Sequence, residues 1–159
     1  MPSPTNPKRL QIRDRIVTVL TAITAGANYF YTPAKVLCRL VHLKEADAFP
    51  TYCVTHDSGG ENIDLTDNSY DSTFYISVYG YVRDESDPTA ALIKAVRDVE
   101  RAINEDWKSG ASGTLGVLAV RILFPEPPET DNGILALDGS FGYFNLRVRF
   151  TVTGDWGAI

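Results

Sequence analysis

The chain has 159 residues, 44% of them apolar and 22% charged, with a formal net charge of −5. That length supports one good core but not two comfortable ones, and the composition is globular, which excludes global disorder. No apolar run approaches the roughly 20 residues needed to cross a bilayer, and the N-terminus lacks the apolar centre and small-residue cleavage site of a leader, so neither secretion nor a membrane span is expected.

Charge is distributed unevenly along the chain. Residues 1–44 hold seven basic and one acidic side chain, residues 45–106 four basic and fourteen acidic, and the remainder four and five. An acidic protein is a poor tight binder of nucleic acid, because phosphate neutralisation supplies most of that affinity. Opposite patches on one molecule favour head-to-tail contact between copies, although solvated surface charge is the commoner reason for any one patch. Cys38 and Cys53 are the only cysteines, each in an expected strand, and read as reduced core thiols.

Met1 to Pro7, with three prolines, reads as an N-terminal arm that cannot bury anything by itself. From Lys8, Leu10, Ile12, Ile16, Val17, Leu20 and Ile23 recur at helical spacing, with Asn6 or Thr5 as cap and Gly26 as stop. Arg9, Arg13 and Arg15 crowd the positive end of that helix dipole, where nothing local asks for them, so they are candidates for a partner contact. Lys35 to Leu43 and Thr51 to His56 read as strands. Asp57 to Asp71, with a Gly59-Gly60 pair and five acids, reads as a long loop, and loops of that length in a compact domain are usually functional or disordered.

Ser72 to Trp107 is the most legible stretch. Phe74, Ile76, Val78, Gly80 and Val82 alternate with Tyr75, Ser77, Tyr79 and Tyr81, giving a strand with one aliphatic and one tyrosine-rich face. Asp87-Pro88 starts a helix whose Leu92, Val96, Val99, Ile103 and Trp107 form a buried stripe, opposite Lys94, Arg97, Asp98, Glu100, Arg101 and Glu105, and Gly110 stops it. Thr114 to Phe124 reads as an apolar strand and 125–139 as a second long loop. Phe141 to Thr153 alternates again, with Phe144, Leu146, Val148, Phe150 and Val152 facing the core, and Arg147 and Arg149 facing water or a neighbour. The expected fold is α+β: one domain over 8–159, a mainly antiparallel sheet of about five strands, and two helices packed on one face. Tyr75, Tyr79 and Tyr81 are interface candidates, with packing beneath a loop or the first helix as the bland alternative.

Chemistry is sparse. His42 and His56 are the only histidines, and His56-Asp57 lacks the further ligands of a metal site. The 57–71 acids lack calcium-loop spacing, and Gly59-Gly60 lacks the lysine and helix of a phosphate cradle. Gly110, Gly113 and Gly116 precede a strand instead of a dinucleotide-binding helix, and no serine sits in a nucleophile elbow. The reading is therefore a non-enzyme without metal or cofactor.

Four stretches together, the helix Arg13 to Ile23, the hairpin around Pro50, the strand and helix Phe74 to Trp107 with its Asp87-Pro88 start, and the closing strand Phe144 to Val152, resemble the tail terminator proteins of long-tailed bacteriophages. The likeness runs from about Lys8 onward and lies in the type and order of elements. It implies a virion protein, made in the host cytoplasm, that forms a hexameric ring on the head-proximal end of the tail tube. Such a ring stops tube polymerisation and docks the head connector, while DNA passes through its lumen without sequence-specific binding. The 57–71 acids Asp57, Glu61, Asp64, Asp67 and Asp71 are then candidates for a docking or lumen element. A head-closure or neck protein is the alternative from the same setting; a small ligand-binding α+β domain, with a pocket between helix and sheet, is the alternative from another class.

Overall fold

The computed structural model describes residues 6–64, 69–124, 135–136 and 140–155. Its elements in chain order are α1 (Lys8–Thr21), β1 (Lys35–Leu37), a 3₁₀ turn (Leu43–Glu45), β2 (Thr51–Asp64), β3 (Ser69–Arg83), α2 (Pro88–Ser109), α3 (Leu115–Leu118), β4 (Arg121–Leu123), β5 (Leu135–Ala136) and β6 (Phe141–Asp155). The strands form one sheet in the order β1-β2-β3-β6-β4, with the two-residue β5 also on β6. Every pairing is antiparallel except β1 with β2. The fold is thus the expected α+β arrangement with a mixed, mainly antiparallel sheet.

Alternation decides which face the helices cover. Phe74, Ile76, Val78 and Val82 of β3 share one core with Tyr52 and Val54 of β2 and with Phe144, Leu146, Val148, Phe150 and Val152 of β6. Ile12, Ile16 and Leu20 of α1 and Leu92, Val96, Val99 and Ile103 of α2 close that core from above. Gly80 lies opposite Phe144, and a Cβ built on it would stand 2.0 Å from the Phe144 ring, so the missing side chain is the seat of that ring.

The helix ends have local causes. In α2 the Asp87 carboxylate accepts from Ala90 N at 3.0 Å, Pro88 opens the first turn, and Gly110 closes the helix at φ 63°, a left-handed position that glycine takes without strain. In α1 no side chain caps the start; the Pro7 carbonyl receives Leu10 N and Gln11 N instead of a cap on Asn6. That helix also stops at Thr21, short of Gly26, and an irregular connection follows. Asp98, expected on the solvent face of α2, is 1% exposed. Its carboxylate accepts from Phe30 N and Tyr31 N at 2.9–3.0 Å and clamps that connection to the helix.

Three expected elements differ. The 35–43 strand is ordered in the sheet only over Lys35–Leu37; the chain then crosses the second face of the sheet, where Val41, Leu43 and Phe49 cover Cys53 and Tyr81. Thr114 to Phe124 is not one strand but a single helical turn followed by β4. The turn brings Gly116 against the Trp107 carbonyl, 2.1 Å from where a Cβ would stand, while Trp107 Nε1 donates to Ala119 O at 3.1 Å. Most of the expected 57–71 loop is strand: Asp57–Asp64 continues β2, and Ser69 onward is β3. Asp57, Glu61, Asp64 and Asp71 lie on a ladder that steps over a bulge between Asp57 and Glu61. The 1–7 arm from residue 1 to 5, the 125–134 and 137–139 parts of the second expected loop, and Asp67 lie outside the described residues.

If Gly80 seats the Phe144 ring, Gly80→Ala should lower unfolding stability by about 1–3 kcal/mol through overpacking. The check is the urea midpoint; an unchanged midpoint would mean that the ring moves aside freely.

Candidate interaction surface

The face of the sheet turned away from the helices divides into two. Over Cys53, Tyr79, Tyr81 and Tyr143 it is roofed by the crossing 38–49 segment. Tyr81 is 7% exposed and its hydroxyl donates to Val41 O at 2.7 Å; Tyr143 stacks with Tyr79 at 6.1 Å and meets Tyr81 at 5.6 Å. Burial pushes the Tyr143 hydroxyl up to about 12, with the neighbouring tyrosines adding to it. Tyr81, and with it the covered side of Tyr79, therefore serves packing, the bland alternative for these side chains; Tyr75 lies beyond the roof.

Beyond the roof the face is uncovered among the described residues. The strand registers lay out its rows: Thr55, Ser77 and Arg147; then Asp57, Tyr75, Arg149 and Leu123; then Glu61, Thr73, Thr151 and Arg121; then Ile63, Asp71 and Thr153. Asp57 is the hub of the first two. It accepts from Arg147 Nε at 2.7 Å and from Ser77 Oγ at 3.0 Å through Oδ2, and from Ser58 N at 2.7 Å through Oδ1. The Arg147 guanidinium also lies over the Tyr75 ring, 4.3 Å from its centroid. Burial alone would raise the Asp57 carboxyl, but Ser77, the Ser58 N–H and Arg147 together hold it below its ordinary value. In the outermost row Asp71 accepts from Thr153 Oγ1 at 2.6 Å. Arg149, Asp57, Tyr75, Arg147, Glu61 and Asp71 thus gather on one face, while of Asp64 the structure places only the backbone, at the end of β2.

The α1 arginines go elsewhere. Arg9 reaches Ser72 Oγ at 2.9 Å and lies over the Phe74 ring at 5.1 Å, strapping the helix to β3. Arg15 binds both oxygens of Asp106 at 2.6 and 3.1 Å, and Asp106 also accepts from Leu115 N at 2.9 Å. Two of the three residues set aside for a partner are therefore intramolecular straps. Arg13 pairs with its neighbour Asp14 at 2.7 Å at the surface. Sequence reasoning missed Arg121, which completes the Glu61 row from the far end of the sheet.

A groove of about 460 Å³ runs between α1 and α2, lined among others by Arg15, Tyr29, Glu105 and Asp106. Its polar groups are engaged with one another: Arg15 with Asp106, and Tyr29 with Glu105, which also receives Arg101. Nothing there converges on an empty point as a ligand site requires. Among the described residues no three of His, Cys, Asp and Glu gather as a metal site would need, and no helix is long and apolar enough to cross a membrane.

No protein-family model matches the chain, and no curated protein sequence does either.

The depressed Asp57 carboxyl fixes a sign. Because its folded pKa lies below the ordinary value of 3.8, its contribution to stability is present above that value and is lost as pH falls through the folded pKa. Asp57→Asn should therefore flatten the loss of stability as pH falls below the ordinary carboxylate range, relative to the parent chain. Parallel acid limbs for the two proteins, measured by circular dichroism, would show that the Arg147 pair contributes nothing to folding.

Proposed function

We propose that the chain is a structural ring subunit of the tail-terminator kind, a hexamer that caps a phage tail tube, stops its polymerisation and receives the head connector. The observation that carries this reading is the bare half of the sheet. β2, β3 and β6, of 14, 15 and 15 residues, extend a structured, polar surface past the roofing segment. That surface has its own charge network and no layer over it among the described residues. An antiparallel sheet can leave one face to water; one that carries stacked arginine, tyrosine and carboxylate groups in register offers a preorganised contact surface, with Arg and Tyr the residue types enriched at interfaces. The acids of the β2–β3 hairpin, in place of the loop that the sequence suggested, are the elements that would face the tube, the connector or the lumen. Acidic walls repel phosphate, so DNA would slide and not be held.

A ligand-binding role is less well supported, because in the groove between the helices Arg15 pairs with Asp106 and Tyr29 with Glu105. The action of the ring is mechanical: it works by shape and by occupying the growing end, and no bond is made or broken.

The purified protein, mixed with its tail-tube protein, should give a sixfold ring or tubes of arrested length by electron microscopy, with a matching mass in solution. A persistent monomer or dimer that ignores the tube overturns the reading, and capture by the portal-side connector alone moves the protein to the neck.

A further inference from the structure

The two ends of the sheet differ in character and agree in level. β1 covers β2 only at Thr51, Tyr52 and Cys53, so among the described residues the outer edge of β2 from Val54 to Asp64 is unpaired. At the other end β4 pairs with β6 through Arg121–Leu123, and its outer edge is likewise unpaired among the described residues. Such edges template association, and proteins blunt them with charge and with bulges. β2 carries both devices. Gly60 sits in the bulge at φ 102°, where a Cβ would fall 2.1 Å from the Thr73 carbonyl oxygen, so the bulge is built for glycine alone. Asp57 and Glu61 stand on either side of it. An edge of this kind rejects strands in general and admits one that presents a cation at the right height.

The registers place that cation at the opposite edge. Glu61 faces Thr73, Thr73 faces Thr151, and Thr151 faces Arg121, so Glu61 and Arg121 end the same four-residue row. Both are exposed, and neither enters an ion pair among the described residues. We propose that a second copy of this chain docks edge to edge, its β2 beside β4, so that Glu61 of one copy meets Arg121 of the next. β2 and β6 each run antiparallel to β3, and β4 runs antiparallel to β6. The incoming β2 therefore lies antiparallel to β4, the arrangement in which directly opposite side chains pair.

Exposed aliphatics flank the charges on both edges. Val120 and Leu123 are 65% and 42% exposed beside Arg121, and Ile63 is 49% exposed two residues from Glu61. Burying them would add apolar contact to the charge pair. The contact is head-to-tail, so it repeats from copy to copy and closes into a ring when the rotation per copy allows; the natural twist between adjacent strands supplies such a rotation. This interface deepens the ring reading above and rests on it.

The test is sedimentation of the full chain and of Glu61→Arg, Arg121→Glu and the double exchange, alone and with tail-tube protein. Each single variant puts like charges in the row and should associate about tenfold more weakly per interface. The double exchange should associate as the parent does. So should an equimolar mixture of the two single variants, because alternating copies then meet with opposite charges at every contact; a misfolded variant could not be rescued in this way. Single variants that assemble like the parent overturn the interface and leave the ring standing, as does a failure of the mixture to recover. A parent chain that stays monomeric with the tube present overturns both.

Discussion

Everything placed in this molecule depends on the register of β3 between its two neighbours. Side chains alternate faces along a strand, so a slip of one residue would carry the whole aliphatic set from the helices to the far side of the sheet. The register is fixed from within the core by Gly80, whose missing side chain admits the Phe144 ring directly opposite. With that pair set, Phe74, Ile76, Val78 and Val82 must lie under α1 and α2. The same alignment brings Ser77 and Arg147 to Asp57 from two different strands, and it levels Glu61 with Arg121 across four strands. Core packing and surface electrostatics are therefore two readings of one alignment.

The helices are held to the sheet by polar straps that join residues far apart in sequence. Asp98 illustrates the balance. Burial raises its carboxyl above the ordinary value, and the Phe30 and Tyr31 N–H groups work against that by bonding the charged form. The buried acid thus gains partners, and the irregular connection after α1 gains a fixed point. Arg15 and Asp106 do the same between the helices: burial raises the Asp106 carboxyl, but the Arg15 bonds and the Leu115 N–H hold it below its ordinary value. The acidic stretch of the sequence is thereby partly neutralised by the basic stretch of the same chain.

What was legible in the sequence was whatever the core dictated. β3, α2 and the inner half of β6 announce themselves because burial imposes periods of two and 3.6 on their apolar residues. The continuation of β2 does not, since Asp57 to Asp64 has no alternating apolar pattern, with Ile63 its one aliphatic side chain, and carries two glycines; it is a strand because β3 pairs with it, and β-propensity is in large part a measure of such context. The apolar run at 114–124 suited strand and helix equally, and the close seating of Gly116 on Trp107 decided its first half. Tyr81 pointed to the side of the sheet that the alternation assigns, but only the fold could bring Val41 over it. The candidate surface was half legible: Tyr75, Arg147 and Arg149 follow from alternation, whereas the hub role of Asp57 joins residues 20 and 90 positions apart, and no pattern within one strand encodes that.

Charge asymmetry along the sequence had suggested opposite faces for self-contact, and the folded arrangement shows how that asymmetry is divided. Arg15, Lys35 and Arg39 pair with Asp106, Asp47 and Glu45, so part of the contrast between the basic and acidic stretches is consumed within the chain, and Arg147 of the last strand turns to Asp57. Glu61 and Arg121 stay exposed at the two ends of the sheet. Exposed charges separated by more than a Debye length of about 10 Å at 0.1 M salt barely attract, so they cannot gather copies from a distance. They act at contact, by deciding which edge an edge accepts. On the edge-to-edge contact proposed above, selectivity of association would fall to a few edge residues, while the network around Asp57 keeps the strands that carry them in line.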